Sequence, residues 1–212
     1  MLTAAGGVLA GAAVMTVPLL RLRRAVRLAR YQAGHDDTTG LPNRRTLLTA
    51  LRRAVIDGPP FGLILLDLDG FKTVNDTHGH EAGNDLLTVV GQRLTDLPDP
   101  VWLAARLSGD EFAVLVNGGP DEVGTTAHLA AAMIESEPVT VDGGGQLAIR
   151  VSVGYTTGRP GITARTLLRE ADEAMYHAKT YAIGVSRYRP TGAATVGPLN
   201  GDRPTHRCRD RR

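Results

Sequence analysis

The stretch RLSGDEFAVLV, residues 106–116, places two adjacent acids between a small, flexible pair and an apolar run. Apolar segments over 101–107 and 111–116 flank a Gly-Asp pair, a pattern that predicts a β-hairpin. Asp110 and Glu111 then lie at the start of a strand that is predicted to be buried. Because burying an uncompensated charge is costly, these carboxylates require either solvent or a positive partner.

A second pair of acids closes another apolar segment, FGLILLDLD at 61–69, which predicts a buried strand ending in Asp67 and Asp69. If this strand lies beside the hairpin, carboxylates from distant parts of the chain converge at one sheet edge. Such oxygen ligands suit Mg²⁺, which takes one or two carboxylates together with phosphate oxygens. Two ions about 4 Å apart can bridge an attacking hydroxyl and a triphosphate. The alternative is that Gly-Asp is merely good hairpin chemistry and the acids are solvated.

The segment after Asp69 carries side chains suited to a nucleotide, and we predict loops and turns over 70–84. Its first residues offer backbone N–H groups for phosphate, and Lys72 adds a positive charge. Asn75 and Asn84 are amides able to donate to and accept from a base edge. His80 is a possible metal ligand without a partner histidine at ligand spacing. A surface lysine and structural turn amides remain the alternatives.

The rest of the pattern indicates an α/β (α+β) sandwich with a central, largely antiparallel sheet surrounded by helices. Apolar spacing predicts a helix ending at Arg53 and three further helices. A second hairpin is predicted in PVTVDGGGQLAIRVSVGY, with its turn at Gly143–Gly145. The three further helices are predicted over 85–97, 123–134 and 167–178.

The chain has 212 residues with 42% hydrophobic content, enough for one core and therefore one domain with extensions. Its net charge of +2 is unevenly distributed: five arginines lie in 21–30 and seven in 187–212, while 31–186 has a net charge of −8. An acidic domain argues against nucleic-acid binding and favours a site for divalent cations. The single Cys208 excludes an internal disulfide and suggests a reducing compartment.

The N-terminal segment predicts a membrane anchor. Leu2 to Leu20 carry no charge, and about 20 apolar residues span a bilayer as a helix. Residues 1–20 are therefore expected to be a transmembrane helix, 21–34 a basic juxtamembrane linker helix, and 190–212 a disordered basic tail. The arginines after the span predict a single-pass protein of the cell (inner) membrane with its main domain in the cytoplasm. One alternative is a signal peptide, although no basic residues precede the apolar segment. The other is a buried helix.

Several motifs, in order along the chain, resemble the GGDEF domains, which are typically diguanylate cyclases. The resemblance rests on HDDTTGLPNRR (35–45), DLDGFKTVNDTHGHEAGNDLL (67–87), RLSGDEF (106–112), VSVGY (151–155) and ADEAMYHAK (171–179). RLSGDEF is similar to the signature hairpin of that family, in a variant that begins with Ser.

The resemblance implies a GGDEF catalytic domain over 35–189 with a ferredoxin-like, nucleotidyl-cyclase-like fold. Members condense two GTP molecules into cyclic di-GMP and release two pyrophosphates, each protomer of a homodimer holding one GTP. Two Mg²⁺ (or Mn²⁺) ions per active site are implied, held by Asp67, the Leu68 carbonyl, Asp110 and Glu111. Asp110, the preferred candidate, or Glu111 would help to deprotonate the attacking ribose 3′-hydroxyl.

The same resemblance assigns the substrate contacts. Phosphates would be held by Phe71, Lys72 and Lys179. Asn75 and Asn84 would read the guanine base, and His80 lies in the same substrate-binding segment. Phe112, the last residue of the signature, is expected to anchor the core.

This chain departs from the family pattern at three positions. Ser108 replaces a signature glycine, a small change that we expect to be tolerated. Asn84 stands where the family usually has Asp, and losing one hydrogen bond to guanine, worth roughly 1–3 kcal/mol, would weaken the preference for GTP. Ile183 stands where a basic residue is expected four positions after Lys179, and Arg187 is a candidate substitute.

An inhibitory product site, Arg-x-x-Asp shortly before the signature, is replaced by DPVW at 99–102. We therefore expect no feedback inhibition through that site.

Two alternatives to a diguanylate cyclase stay open. One is a catalytically degenerate domain that binds GTP or docks a partner, and the other is a cyclic dinucleotide synthase with relaxed base choice.

Overall fold

The computed structural model describes residues 21–22, 24–29, 31–58, 60–141 and 145–190. A five-stranded sheet with the strand order β2-β3-β1-β6-β7 forms its centre, and β4 and β5 form a separate hairpin. All pairings in the sheet are antiparallel except that of β6 with β7. The strands are β1 (Phe61–Leu68), β2 (Val101–Ser108), β3 (Glu111–Asn117), β4 (Val139–Val141), β5 (Gly145–Leu147), β6 (Val151–Thr157) and β7 (Val185–Arg187). The helices are α1 (Arg44–Asp57), α2 (Phe71–Thr95), α3 (Pro120–Glu135) and α4 (Ala164–Tyr181).

Strand β1 divides the core between the two faces of the sheet, because successive side chains of a strand point in opposite directions. Ile64 and Leu66 pack with α2 and α3, whereas Leu63 and Leu65 pack with α1 and α4. All four side chains are buried. This arrangement confirms the predicted sandwich of helices around a mainly antiparallel sheet.

The helix ends agree with local capping chemistry. Helix α1 begins after Asn43, whose side chain accepts a hydrogen bond from the Thr46 amide, and ends at Gly58 with φ 69°. Helix α4 begins after Thr163, whose hydroxyl accepts from the Thr166 amide. These caps determine where the two helices enter the layer against β1.

The prediction of loops and turns over 70–84 is wrong, because this segment belongs to α2. A single residue inside α2, Gly79, has non-helical backbone angles of φ 86° and ψ 166°. Only glycine adopts this conformation readily, so the helix is broken into 71–78 and 80–95. Glycine and polar residues therefore mark a break between two helices here, not an open loop.

The predicted hairpin over 138–155 is correct only in its first half. Strands β4 and β5 pair as a small hairpin, with Val141 opposite Gly145. The second half becomes β6, which joins the central sheet next to β1. Gly143 and Gly144 of the predicted turn lie outside the described residues.

The terminal predictions concern residues that the structure describes only in part. In the predicted linker helix, 24–29 and 31–34 are helical, whereas the predicted span 1–20 and tail beyond 190 lie outside the described residues. In the part of the chain that the structure describes, no helix is both long and apolar enough to cross a bilayer. The longest helix, α2, carries charged residues such as Lys72 and Asp76, which a bilayer core excludes. On this finding the predicted single-pass membrane localisation, with its membrane contact, is wrong.

The contact between β6 and α4 predicts the cost of one substitution. A Cβ at Gly154 would lie 2.0 Å from the Met175 nitrogen and 2.3 Å from the Ala171 carbonyl oxygen. Backbone atoms cannot move aside cheaply, so we expect Gly154→Ala to lower the free energy of unfolding by about 3 kcal/mol. Urea denaturation measures this, with Gly145→Ala as the control, since its Cβ would meet Val141 at an ordinary 3.4 Å. Equal losses in the two variants would contradict the close contact.

Candidate active site at the end of strand β1

The acids of the two predicted sets meet at one edge of the sheet. In the ladder between β1 and β3, Asp67 lies directly opposite Glu111. The Leu68 amide donates a hydrogen bond to the Asp110 carbonyl over 3.2 Å, so the signature turn closes onto the end of β1. The convergence predicted from the sequence is therefore present.

Asp67 is largely enclosed and is paired with Lys179. Its side chain is only 15% exposed, and the Lys179 ammonium hydrogen-bonds to its Oδ1 atom. Burial raises the pKa of Asp67, the Lys179 hydrogen bond opposes this, and the charges of Asp110 and Asp69 raise it further. Burial acts to lower the pKa of Lys179, but its interactions with Asp67, Asp69 and Asp110 raise it overall. The site thus carries more negative charge than one ammonium compensates.

Two of the three remaining acids of this edge accept hydrogen bonds from serines. The Ser108 hydroxyl donates to Glu111 Oε2 over 2.7 Å. The Ser152 hydroxyl donates to Asp69 Oδ1 over 2.9 Å. Ser108 therefore does more than fit a tight turn, because it fixes the orientation of a signature carboxylate.

One acid near the site was missed by the sequence reasoning. Partial burial, followed by the charges of Glu111, Glu173 and Asp67, raises the pKa of Asp172. Asp172 lies on α4 seven residues before Lys179, two helical turns away on the same face. The spacing of Asp172 and Lys179 can be read from ADEAMYHAK. The proximity of Asp172 to Glu111 cannot, because it arises only in the folded chain.

The start of α2 adjoins the end of β1 and has open N–H groups. Gly70, with φ 74°, precedes the helix and provides no side-chain cap. The first amides of a helix lack partners within it and can bind anions. Phe71 packs partly buried against the core, whereas Lys72 is exposed and pairs with Asp76 over 2.6 Å. The Asp76 hydrogen bond raises the pKa of Lys72.

The predicted base-reading residues lie on either side of the break in α2. Asn75 is half-buried in the first half of the helix, and Asn84 is exposed in the second half. His80 is exposed directly after Gly79. The residues that the sequence predicted in one loop thus lie in the two halves of a broken helix.

The position after α4 lacks a basic side chain. Ile183 is 51% exposed just beyond the helix end. Arg187 lies in β7 opposite Tyr155, three residues along β6 from Ser152, which pairs with Asp67. At about 3.3 Å per residue this separation is about 10 Å. The register therefore argues against Arg187 as the substitute for a phosphate-binding residue.

A partly buried ion pair connects the signature turn to the chain before α1. Arg106 donates to the Gly109 carbonyl from Nε (3.0 Å) and Nη2 (2.7 Å), and from Nη1 to Asp36 Oδ1 (2.8 Å). Burial acts to raise the pKa of Asp36, but the hydrogen bonds from Arg106 and Thr39 lower it overall. The sequence analysis singled out neither Arg106 nor Asp36, because their pairing depends on tertiary structure.

The donor set fits a divalent cation that is completed by its ligand. Within the described residues, no three His, Cys, Asp or Glu side chains are grouped so as to hold a metal by themselves. Asp67 and Asp110 provide the one or two carboxylates that Mg²⁺ typically takes together with phosphate oxygens. The excess negative charge around Asp67 is the observation that favours a cation here.

A groove of about 630 Å³ lies between α1 and the edge strand β2. Its lining includes Arg45, Arg53, Phe61 and Trp102. None of the predicted site residues lines it. The groove is therefore separate from the acids at the end of β1.

Comparisons with known proteins identify the family of the chain. Residues 33–182 match the family model described as diguanylate cyclase, GGDEF domain. The chain is 41% identical over 186 residues to an uncharacterized signaling protein of Caulobacter vibrioides, covering 84% of this chain and 23% of that protein. It is 37% identical over 164 residues to the bifunctional diguanylate cyclase/cyclic di-GMP phosphodiesterase MucR of Pseudomonas aeruginosa, covering 74% and 24%. The chain thus spans about a quarter of the length of these curated relatives.

Among solved structures, the coiled coil and GGDEF domain of DgcB from Caulobacter crescentus, in complex with c-di-GMP, matches with a TM-score of 0.78. The identity is 28%, and the match covers 85% of this chain and 98% of that one.

The Arg106 pairing predicts a measurable loss when it is removed. Arg106→Ala removes two hydrogen bonds to the Gly109 carbonyl and one to Asp36, which keeps its bonds from Thr39, and we expect the free energy of unfolding to fall by about 2 kcal/mol. Hydrogen exchange should also accelerate in 106–112. Because the pKa of Asp36 is lowered, the difference from wild type should shrink as pH falls below the ordinary value of 3.8 and Asp36 becomes protonated.

Arg169→Ala is the matched control, since Arg169 forms an exposed pair with Glu173 one helical turn away. Exposed pairs contribute about 0.2–1 kcal/mol at most, so this variant should stay near wild type. Equal losses of unfolding free energy in the two variants, or unchanged hydrogen exchange in 106–112, would refute a stabilising role of the Arg106 hydrogen bonds.

Proposed function

The chain belongs to the GGDEF domain family of cyclic di-GMP signalling, and from this premise we propose that it is a diguanylate cyclase. It would condense two GTP molecules into cyclic di-GMP and two pyrophosphates. The observation that carries the proposal is the register of β1 with β3, which sets Asp67 opposite Glu111. A domain that only bound a partner would have no evident need for this acidic edge.

We propose that Asp67, the Leu68 carbonyl, Asp110 and Glu111 hold two Mg²⁺ or Mn²⁺ ions. When bound, such ions neutralise phosphate charge and activate a hydroxyl. Asp110, or Glu111 as the alternative, accepts the proton of the ribose 3′-hydroxyl. The Ser108 hydrogen bond supports an oriented Glu111 carboxylate.

The triphosphate would lie between the start of α2 and the end of α4. The open amides after Gly70 support binding of anionic oxygens, with Phe71 beside them. Lys179, held at the site by Asp67, would contact the phosphates. Lys72 would leave Asp76 to do so, an exchange that costs little because their exposed pair is weak.

The guanine base would be read by Asn75 and Asn84, with His80 near the rim of the same segment. No hydrogen bond from the described residues occupies either asparagine side chain. Both amides are thus available to a base.

A homodimer would bring two GTP-loaded half-sites face to face. The N-terminal helical segment exposes Leu22, Val26, Ala29 and Ala33, whose 4-3-4 spacing is that of a coiled-coil seam. The solved DgcB relative comprises a coiled coil and a GGDEF domain. We propose that 35–189 form the catalytic domain and that feedback inhibition through 99–102 is absent.

The activity is tested with purified protein, Mg²⁺ and GTP, followed by chromatographic separation of the products. We expect cyclic di-GMP and pyrophosphate, and we expect Asp110→Asn to reduce turnover by a factor of at least about 100, because a catalytic base and metal ligand is lost. Asp121→Asn, an exposed acid in the first turn of α3, is the matched control.

If the wild-type protein bound GTP but formed no product, it would be a degenerate binding domain and the proposed activity would be refuted. Product at equal rates from wild type and Asp110→Asn would exclude the proposed role of Asp110.

Base choice is tested at Asn84. A carboxylate accepts from both guanine N1–H and N2–H₂, whereas an amide accepts at one end only. We expect Asn84→Asp to raise the GTP-to-ATP ratio of kcat/KM about tenfold, since one such hydrogen bond contributes about 1–3 kcal/mol. Strict GTP use by wild type, unchanged in the variant, would contradict relaxed base choice.

A further inference from the structure

The break in α2 brings together two residues that a straight helix keeps apart. Residues 75 and 83 would be separated by about 12 Å along a continuous helix, which rises 1.5 Å per residue. Here the Asn75 Oδ1 atom lies only 2.0 Å from the position that a Cβ would take at Gly83. The turn at Gly79 therefore brings the side chain of Asn75 against the backbone of the second half of the helix.

The absent side chain at Gly83 creates the space for this amide. The nearest atoms to a Cβ at Gly83 are Asn75 Oδ1 at 2.0 Å, Asn75 Cγ at 3.0 Å and Phe71 Cζ at 3.3 Å. All three belong to side chains, not to backbone. A methyl group at position 83 and the present position of the Asn75 amide are thus mutually exclusive, and the amide would move.

The Asn75 amide is positioned by packing alone. Among the described residues no group hydrogen-bonds to its side chain, which is half-buried. Gly83 itself is buried and is followed directly by Asn84. Asn75 therefore contacts the residue that directly precedes Asn84, the second base-reading candidate.

We infer that Gly83 is a positioning residue that sets base selectivity, because only glycine leaves room for the Asn75 amide beside Asn84. This inference rests on the proposed role of Asn75 in nucleotide binding. Gly83 touches no substrate atom in this account and acts through Asn75.

Gly83→Ala separates this role from a structural one, because the two predict opposite effects on stability. Alanine is the better helix former, and the clashing atoms are at the ends of side chains, so thermal stability should be unchanged or slightly higher. Affinity for the Mg²⁺ complex of 3′-deoxy-GTP, which lacks the attacking hydroxyl, should fall roughly tenfold. Isothermal titration measures this affinity, with 3′-deoxy-ATP as the selectivity probe.

A double-mutant cycle tests whether Gly83 acts through Asn75. Asn75→Ala should weaken 3′-deoxy-GTP binding by a similar factor, and adding Gly83→Ala to it should cause no further loss. Gly91→Ala is the matched control in the same helix: its Cβ would meet Thr39 Cβ at 2.9 Å and Thr39 O at 3.1 Å. That variant should lose stability and keep the wild-type selectivity.

Wild-type affinity and selectivity in Gly83→Ala, or a further full loss in the double variant, would overturn the inference. Absence of nucleotide binding by wild type would also overturn it. Binding without product would refute the cyclase activity while the same titrations still decide the role of Gly83. Product formation with an unaffected Gly83→Ala variant would refute this inference alone.

Discussion

The antiparallel pairing of β1 with β3 is the constraint on which the remaining features of the site depend. It sets Asp67 opposite Glu111 and lets the Leu68 amide close onto the Asp110 carbonyl. A shift of one residue would move these acids to the other face of the sheet, away from Lys179 on α4. Such a shift is costly because it would place Asp67 where Leu66 or Leu68 is now buried in the apolar core, and an uncompensated charge would be buried there. The position of the charges is thus enforced by apolar packing.

Hydrogen bonds from neighbouring segments stabilise the residues around this strand pairing. Arg106 ties the signature turn to Asp36 before α1, and Ser108 orients Glu111. Three glycines permit close approaches. Gly154 lets α4 pack directly against β6, Gly79 breaks α2, and Gly83 leaves space for the Asn75 side chain. Asn75 and Asn84 are the residues that we propose to read the base, and the resemblance to the family implies Asp at the place of Asn84.

The sequence was sufficient to predict the features that depend on local pattern. The apolar run before Asp67 and the Gly-Asp turn before Glu111 predicted a strand and a hairpin, and with them the meeting of the acids. It was insufficient where one residue changes the path of the chain, as at Gly79, whose surroundings look like a loop. It also missed Asp172 and the Arg106–Asp36 pair, because those neighbours are created only by tertiary contacts. The membrane prediction is corrected on the finding that, among the described residues, no helix is long and apolar enough to cross a bilayer.

The most direct test of the account is a crystal structure of the protein with Mn²⁺ and 3′-deoxy-GTP. Manganese scatters anomalously, so its position is observed independently of the nucleotide. We expect an anomalous peak between the carboxylates of Asp67 and Asp110, with the triphosphate at the start of α2. A nucleotide bound instead in the groove beside Trp102, or manganese absent from those carboxylates, would contradict it.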